Sequence, residues 1–599
     1  MERTSLLLLL LLLLLLTAIS FPLTLPTSPD HFFRPSSAKP KATLSRPKYK
    51  EFFELIHPLP SDHLTPSCAL HIVHHTFGKT VNRPPYSTPY SPPSDCPPPW
   101  LHVALEFRTK SRGDQYDRIS GLWLGGAELL RSSTVKPTES GISWTVRKDI
   151  TRYSSLLVKR NINFTIMLEN VVDNIYTGVY HVDVTFFFYK ETAVRAPLIG
   201  GDHISIFPQK QGLIGGFAAK DVYESPADLI IPISAFHNSK GYWFIIKGDS
   251  DVHFRKLRFP ANTRRAVMEL YVSFHGNDEF WYSNPSNTYI RMNNLTTLRG
   301  NGAFREVFVT IDGMFVASEV PFPVIFTGGF NPLFWEPAVA IGAFDLPTYD
   351  FDLTPFLGVL LDGRDHVVGV GVSDGISYWL VDANLHLWLD TGAASVEAKS
   401  VVYQNPGSSI KRQEEFRDLD GSFAIKGTRK TQLVGWIKSS AGNLTTSVMH
   451  QFKFRSSIKY GRNGNYKHAK QNMKSTREVR VMNEMGMLLS RVTMKRRYPI
   501  KVVTLKIPGT KKNTYMLITN VSHSLIDHCS NGKLSSFVHN NQIANGWIEV
   551  KDHDVIAGEA ITNQTLTCRD DSGCYVRTVA AIDGSLVIDN STFACPSFI

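Results

Sequence analysis

The sequence predicts an all-β protein: two adjacent jelly-roll β-sandwich domains followed by a C-terminal β-rich domain. Three observations carry that reading. From Trp100 to Leu389 the chain is a succession of short alternating or β-branched runs, among them LHVALEF, GISWTVRKDI, NFTIMLEN, VYHVDVTFFFY, GYWFIIKG, AVMELYVSFH, EVFVTIDG and SYWLVDANLHLWL. Each run is bounded by Gly, Pro, Asn or Asp, and few segments keep a helical period, which is the pattern of strands joined by turns. Pro197 to Gly216, PLIGGDHISIFPQKQGLIGG, splits the runs into two blocks, a spacing that favours sandwiches over an α/β fold.

Residues 1–25 read as a signal peptide: one Arg, then an unbroken Leu run from Leu6 to Leu16, too short to span a bilayer comfortably. Residues 26–60 form a leader rich in Pro, Ser and basic residues, whose end, Tyr49 to Leu59, is suited to docking on the body. The first jelly roll is assigned to 61–198. Its proline-rich stretch Arg83 to Trp100 lies largely inside the span bounded by Cys68 and Cys96 and reads as a stapled surface loop. The second jelly roll takes 199–395, its last strand closing near Leu389. The third block, 396–599, is again strand-like, with GSFAIKG, QLVGWIK and NGWIEVK.

With 599 residues, 43% hydrophobic and 20% charged, the chain can bury a sizeable core, which excludes a disordered protein. No other apolar stretch is long enough for a membrane span, so the mature chain is expected to be free of the membrane. The six cysteines fall at Cys68 and Cys96, then at Cys529, Cys568, Cys574 and Cys595. In an oxidising compartment this suggests one bridge near the N-terminus and two near the C-terminus, the last four leaving their connectivity open. No Cys/His spacing supports zinc. Sequons at Asn163, Asn294, Asn443, Asn520, Asn563 and Asn590 are glycosylation candidates and agree with secretion.

The net charge of +11 is uneven: Lys453 to Lys512 carries Lys467, Lys470, Arg477, Arg480, Lys495, Arg496 and Arg497 against Glu478 and Glu484. In a secreted chain a nucleic-acid partner is not expected, and this stretch reads as a solvated loop or a processing site.

Several motifs mislead. Gly371-Val372-Ser373-Asp374-Gly375 matches a nucleophile elbow, but the residues after it alternate like a strand where a helix is needed. Asp390-Thr391-Gly392 and Asp571-Ser572-Gly573 resemble aspartic-protease loops, yet the second lacks the apolar lead-in. His74 and His75 point to opposite faces of a strand, so with His71 they make a poor metal site. Arg112-Gly113-Asp114 is too short to argue adhesion.

There remain carboxylates at strand ends beside aromatics: Asp117 in GDQYDR, Glu169 in MLENVVDNIYTG, and Asp278 and Glu279 in HGNDEFWY. Such acids commonly cap turns or face water. In a partly dry cleft their pKa rises and they work as acid or base. Trp281, Tyr282 and Trp335 offer flat apolar faces, and a sugar ring offers hydroxyls to the acids and a C–H face to the rings.

From about Glu51 to Leu389 the chain closely resembles the plant-type peptide-N4-(N-acetyl-β-glucosaminyl)asparagine amidases, the peptide:N-glycanase A family. The carriers are KEFFELIHPLP, YSPPSDCPPPWLHVALEF, GDQYDRISGLWLGGAELLRSST, RKDITRYSSLL, MLENVVDNIYTGVYHV and NPLFWEPAVAIGAFDLPTYDFDLTPFL. The same stretches look like the bacterial peptide:N-glycanase F type, two adjacent jelly rolls with the active site between them. By motif, an Asp-Arg pair before an aliphatic strand falls on Asp117-Arg118, and a Glu ending a strand falls on Glu169. A second-domain Glu falls on Glu279, after the Pro260-Ala261-Asn262-Thr263 run. Trp335 is a weaker match.

The bacterial pattern flanks that second-domain Glu with cysteines. Here the flanks are Asn277, Asp278, Phe280 and Trp281, so Asp278 competes for the role. Val171 replaces an aromatic beside the core sugars, which makes room for a bulkier core such as one with α1,3-linked fucose.

The resemblance implies hydrolysis of the β-aspartylglucosylamine amide, turning glycosylated Asn into Asp and releasing the N-glycan. Asp117 would orient or deprotonate the attacking water, Glu279 bind the reducing-end sugar, Glu169 help position it, and Arg118 hold the Asp ionised. It implies no covalent nucleophile, no metal and no cofactor. The implied partner is an N-glycopeptide or denatured glycoprotein. Processing into two associated chains, for which Lys495-Arg496-Arg497 is a candidate, and residence in the secretory pathway, the cell wall or extracellular space, or the vacuole are also implied. A lectin-like jelly-roll protein without turnover and an endoglycosidase are the alternatives.

Overall fold

Strict alternation gives a strand two faces with different fates, and here many strands bury both. The computed structural model describes residues 49–190, 225–235, 241–531, 534–552, 554–571 and 573–594, with the short strand Arg34–Pro35. The expected signal peptide, most of the leader, the separator Pro197 to Gly216 and Cys595 lie outside them.

The first unit packs two sheets. One runs in the order Lys50–Phe52, Ile142–Asp149, His102–Arg112, Val179–Tyr189, Cys68–Phe77; the other, Tyr86–Tyr90, Ile162–Leu168, Ile119–Leu124, Ala127–Ser133. Leu105, Phe107, Leu122, Leu124, Phe164 and Phe186 fill the space between them. The second unit repeats the plan. Leu229–Ile233, Trp379–Leu389, Thr263–Phe274 and Thr348–Asp352 form one sheet, with Phe244–Ile246 also paired to Trp379–Leu389. His253–Leu257, His366–Ser373, Glu306–Ile311 and Met314–Glu319 form the other. The all-β reading holds. Ser373 ends a strand and the next element is another strand, so there is no nucleophile elbow.

The third region, with Arg34–Pro35 paired on Asp554–Arg569, forms a single 12-stranded sheet whose strands reach 21 residues. Phe452, Phe454, Met473, Tyr498, Val521 and Ala544 on one face join the apolar cluster of the second sandwich. The basic stretch expected as a loop is therefore strand. Lys467 donates to Ser283 Oγ at 3.1 Å, and Arg477 pairs with Glu319 at 3.2 Å. Arg496, 9% exposed, sits mid-strand in Leu488–Pro508 between the exposed Lys495 and Arg497.

The segment after Tyr49 docks as its composition suggests. Lys50–Phe52 pairs parallel with Ile142–Asp149, Phe53 bridges Ala338, and the Glu54 carboxylate accepts from the Gly342, Phe344 and Asp345 amides. Cys68 and Cys96 are bridged. Cys574 is also disulfide-bonded, but Cys568 keeps a thiol, against the expectation of two C-terminal bridges. Its side chain points inward among Leu55, Leu566, Tyr575 and Val579, where burial raises its pKa; Cys529 is buried too. All six sequon asparagines are exposed.

Candidate active site at the seam of two sandwiches

Alternation places the site. In Ile119–Leu124, Leu122 and Leu124 enter the core of the first sandwich, which turns Ile119, Gly121 and Trp123 toward the second. Gly121 must lack a side chain, because a Cβ there would come within 2.4 Å of Trp123 and Trp243. In Trp379–Leu389 the odd-numbered residues fill the second core, leaving Leu380, Asp382, Asn384 and His386 to face the first sandwich.

The seam between them is polar, buried and directional. A bulge between Leu122 and Trp123 lets Glu128 and Arg131 share one face, where they pair at 2.7 Å. Arg131 also donates to Leu380 O at 2.6 Å, and Asn384 donates to Glu128 O at 2.7 Å. Glu269 accepts from Tyr153 at 2.7 Å and pairs with Arg152 and His386. Burial pushes the Glu269 carboxyl up, but Arg152, His386 and Lys148 overcome it and hold it well below the usual range. Such a network fixes how the two sandwiches meet, since every member has a preferred direction.

Four strand ends reach the same rim of this seam. Leu168 pairs with Ser120, so Glu169, the next residue, lies alongside Ile119 and Arg118. Arg118 Nη2 donates to Gln115 Oε1 at 2.6 Å, and Gln115 Nε2 donates to Asn170 Oδ1 at 2.6 Å and Val171 O at 2.7 Å. This relay ties the Asp117 loop to the Glu169 loop. Gly113, at φ +112°, lets the first loop close on Thr177 and Gly178.

Asp117 is half-buried, with Oδ1 shielded and unbonded. Burial raises its pKa, opposed by its own amide, by Lys136 and Arg118, and by the Gly328 amide. Arg118 Nε is likewise buried without a hydrogen-bond acceptor. Glu169 Oε1 accepts from the Asn82 amide at 3.1 Å. Glu279, 6% exposed, follows the turn Gly276–Asp278 at the end of Thr263–Phe274.

The structure separates Glu279 from its neighbour. Asp278 is fully buried and saturated: Arg305 grips both oxygens at 2.6 and 2.8 Å, and Ile376 N, Trp379 Nε1 and Asn284 Nδ2 add further hydrogen bonds. It pins the 276–284 and 376–379 segments together and does not compete for substrate.

The aromatic platforms are also corrected. Trp281, Tyr282 and Trp335 are 0%, 2% and 1% exposed and lie in the second sandwich core, Trp335 donating to Gly329 O at 2.8 Å. Their rings cannot stack on a sugar, because the apolar cluster behind the rim takes them up. Elsewhere, His74 bonds Asp183 at 2.6 Å on an exposed face while His75 stacks on Tyr86, Asp390 accepts from the Gly392 and Ser440 amides, and Asp571 accepts from the Ser535 amide.

Sequence reading missed Tyr378. It precedes Trp379–Leu389, packs against the cluster of Trp123, Met167, Trp243 and Leu380, and stacks on His275 at 5.3 Å. Burial, then the charges of Glu169 and Glu279, push the phenol pKa up, and Arg118 pulls it down, so three expected site residues act on one hydroxyl. The SYWLVD alternation placed Tyr378 opposite a core Trp, which was the available signal.

A family model described as peptide N-acetyl-β-D-glucosaminyl asparaginase amidase A matches residues 57–406. Peptide-N4-(N-acetyl-beta-glucosaminyl)asparagine amidase A from Prunus dulcis is 39% identical over 548 residues, which is 91% of this chain and 93% of that protein. Among solved structures, PNGF-II aligns at TM-score 0.36 and 12% identity over 54% of this chain and 66% of its own. PNGase F, a glycosylasparaginase from Flavobacterium meningosepticum, aligns at TM-score 0.34 and 13% identity over 54% and 96%.

Proposed function

The chain belongs to the peptide N-acetyl-β-D-glucosaminyl asparaginase amidase A family, and from that premise we propose that it is a glycoamidase working at the rim of Asp117, Arg118, Glu169 and Glu279. It hydrolyses the β-aspartylglucosylamine bond of N-glycopeptides, releasing the glycan and converting the glycosylated Asn to Asp. The observation that carries the site is the convergence of four strand ends, two from each sandwich, on one set of buried or half-buried carboxylates.

Asp117 accepts a proton from water as the water oxygen adds to the amide carbonyl carbon. The C–N bond then breaks, the nitrogen takes up a proton, and the glycan departs as a 1-amino sugar that later loses ammonia to water. Burial raises the Asp117 pKa, while its own amide, Lys136, Arg118 and the Gly328 amide favour the carboxylate that the step requires. Glu279 and Glu169 accept hydroxyl hydrogens of the reducing-end sugar and hold the bond over Asp117. A leader of the signal-peptide kind and six exposed sequons support action in the secretory pathway.

The test is incubation with a short N-glycopeptide in ¹⁸O-water, beside Asp117→Asn, read by peptide mass spectrometry. The expected product is Asp carrying ¹⁸O at the former glycosylation position, lost in the variant. GlcNAc left on the peptide would make the protein an endoglycosidase, and retained glycopeptide without product would make it a lectin.

A further inference from the structure

Tyr378 is built into the rim more firmly than a surface tyrosine needs to be. Its backbone exchanges hydrogen bonds with His275, N to O at 3.1 Å and O from N at 2.9 Å. Its ring lies on the His275 imidazole, which lies in turn on Phe326 at 5.5 Å with the two rings 6° from parallel. Burial and the charge of Arg131 lower the His275 pKa to about 3, so the stack holds a neutral ring. The flanking residues, Ile376 and Trp379, are pinned to Asp278. The ring is thus fixed from below and from both chain directions, while its hydroxyl makes no hydrogen bond with any described residue and lies where the charges of Glu169, Glu279 and Arg118 act on it.

Apart from the Arg118 guanidinium, which donates to Gln115, the groups around that hydroxyl are acceptors. Asp117, Glu169 and Glu279, once ionised, only accept hydrogen bonds, and they suit the hydroxyls of a sugar. A 2-acetamido sugar also carries a strong acceptor, its acetamido carbonyl, which no carboxylate can satisfy. A neutral phenol fixed at this rim is a donor that fits it. Resting on the glycoamidase reading, we propose that Tyr378 is a specificity-determining residue: its hydroxyl donates a hydrogen bond to the acetamido carbonyl of the Asn-linked sugar and so selects N-acetylglucosamine over glucose. A site made to hydrogen-bond a polar group discriminates well, because the analogue leaves the site's own group unpaired.

The experiment compares two synthetic peptides, one carrying N-acetylglucosamine on Asn within a chitobiose core and one carrying glucose, hydrolysed by the wild-type full chain and by Tyr378→Phe. Phe keeps the ring and its stack on His275, and the unfolding midpoint checks that the fold is intact. The expected result is a loss in kcat/KM of about tenfold on the acetamido substrate, carried by KM, with the glucosyl peptide unchanged, so that the preference collapses. An equal fall on both substrates, or a fall in kcat alone, overturns the proposal, as does no change. Binding of free chitobiose by calorimetry supplies the second readout: it weakens by a similar factor in Tyr378→Phe if the proposal holds, and unchanged affinity defeats it. A wild type that yields no Asp from either peptide refutes the glycoamidase reading, whereas a wild type that works with an unaffected variant refutes only the role of Tyr378.

Discussion

Asp278 and Glu279 are adjacent in sequence and opposite in task. Asp278 neutralises Arg305, and both side chains are 0% exposed. Asp278→Asn leaves the guanidinium buried without its counter-charge, a change expected to cost about 3–5 kcal/mol of stability in chemical denaturation. Glu279→Gln keeps the shape of the side chain and removes its charge. Its unfolding midpoint should stay near wild type while amidase activity drops at least tenfold, about the effect of losing one charged hydrogen bond to substrate. If instead Asp278→Asn folds normally and loses activity, the two assignments are reversed. Composition alone left these acids equal; the Arg305 partner, 27 residues away in sequence, decides between them.

At the level of elements, period-two alternation did most of the positioning. It sends Leu122 and Leu124 into one core, Val381 and Ala383 into the other, and leaves Gly121, Trp123, Leu380 and Asp382 to make the seam. Asp117 and Glu169 follow because each stands at an end of a strand of known parity. The aromatics after Glu279 broke the pattern: FWY lies in short 3-10 turns, Trp281–Ser283 among them, where alternation gives no guidance and contact with Phe274 and Trp379 carries Trp281 inward. Trp281→Phe should accordingly lower the unfolding free energy by about 1–3 kcal/mol and leave KM unchanged, as measured by denaturation and steady-state kinetics. A raised KM with unaltered stability would return the ring to the substrate.

Across the whole molecule, neutral histidines are locked into dry places. Burial and Arg131 lower the His275 pKa to about 3, burial lowers that of His523 to about 3 against the Pro323 carbonyl, and burial with three arginines lowers that of His450. Between the ordinary value near 6.5 and these lowered values the unfolded chain binds more protons than the folded one, so stability is lost as pH falls through that window. Glu269 acts in the same sense further down: its contribution is present above the ordinary carboxylate value and disappears as it is forced to protonate. The buried histidines should therefore pull the melting temperature down on acidification below about pH 6.5, against Glu54, whose pKa burial raises to about 8 and which acts in the opposite sense. His523→Gln should lose less of its melting temperature than wild type between about pH 6.5 and 4, and an identical pH dependence in the two would contradict the buried neutral state.

The sequence by itself determined the all-β class, the strands of the two sandwiches, the docking of the segment after Tyr49 and the first disulfide, because alternation, turn residues and cysteine placement act locally. Through a family resemblance it also pointed to Asp117, Arg118, Glu169 and Glu279 as a set. Only the tertiary structure decided that Asp278 is a buried anchor, that Trp281, Tyr282 and Trp335 are core, that Cys568 stays a thiol, and that the basic stretch is sheet pressed against the second sandwich. Tyr378 belongs with these. Each depends on a partner distant in the chain, an Arg305, a His275 or an apolar face, and burial is a property of that encounter which no local pattern encodes.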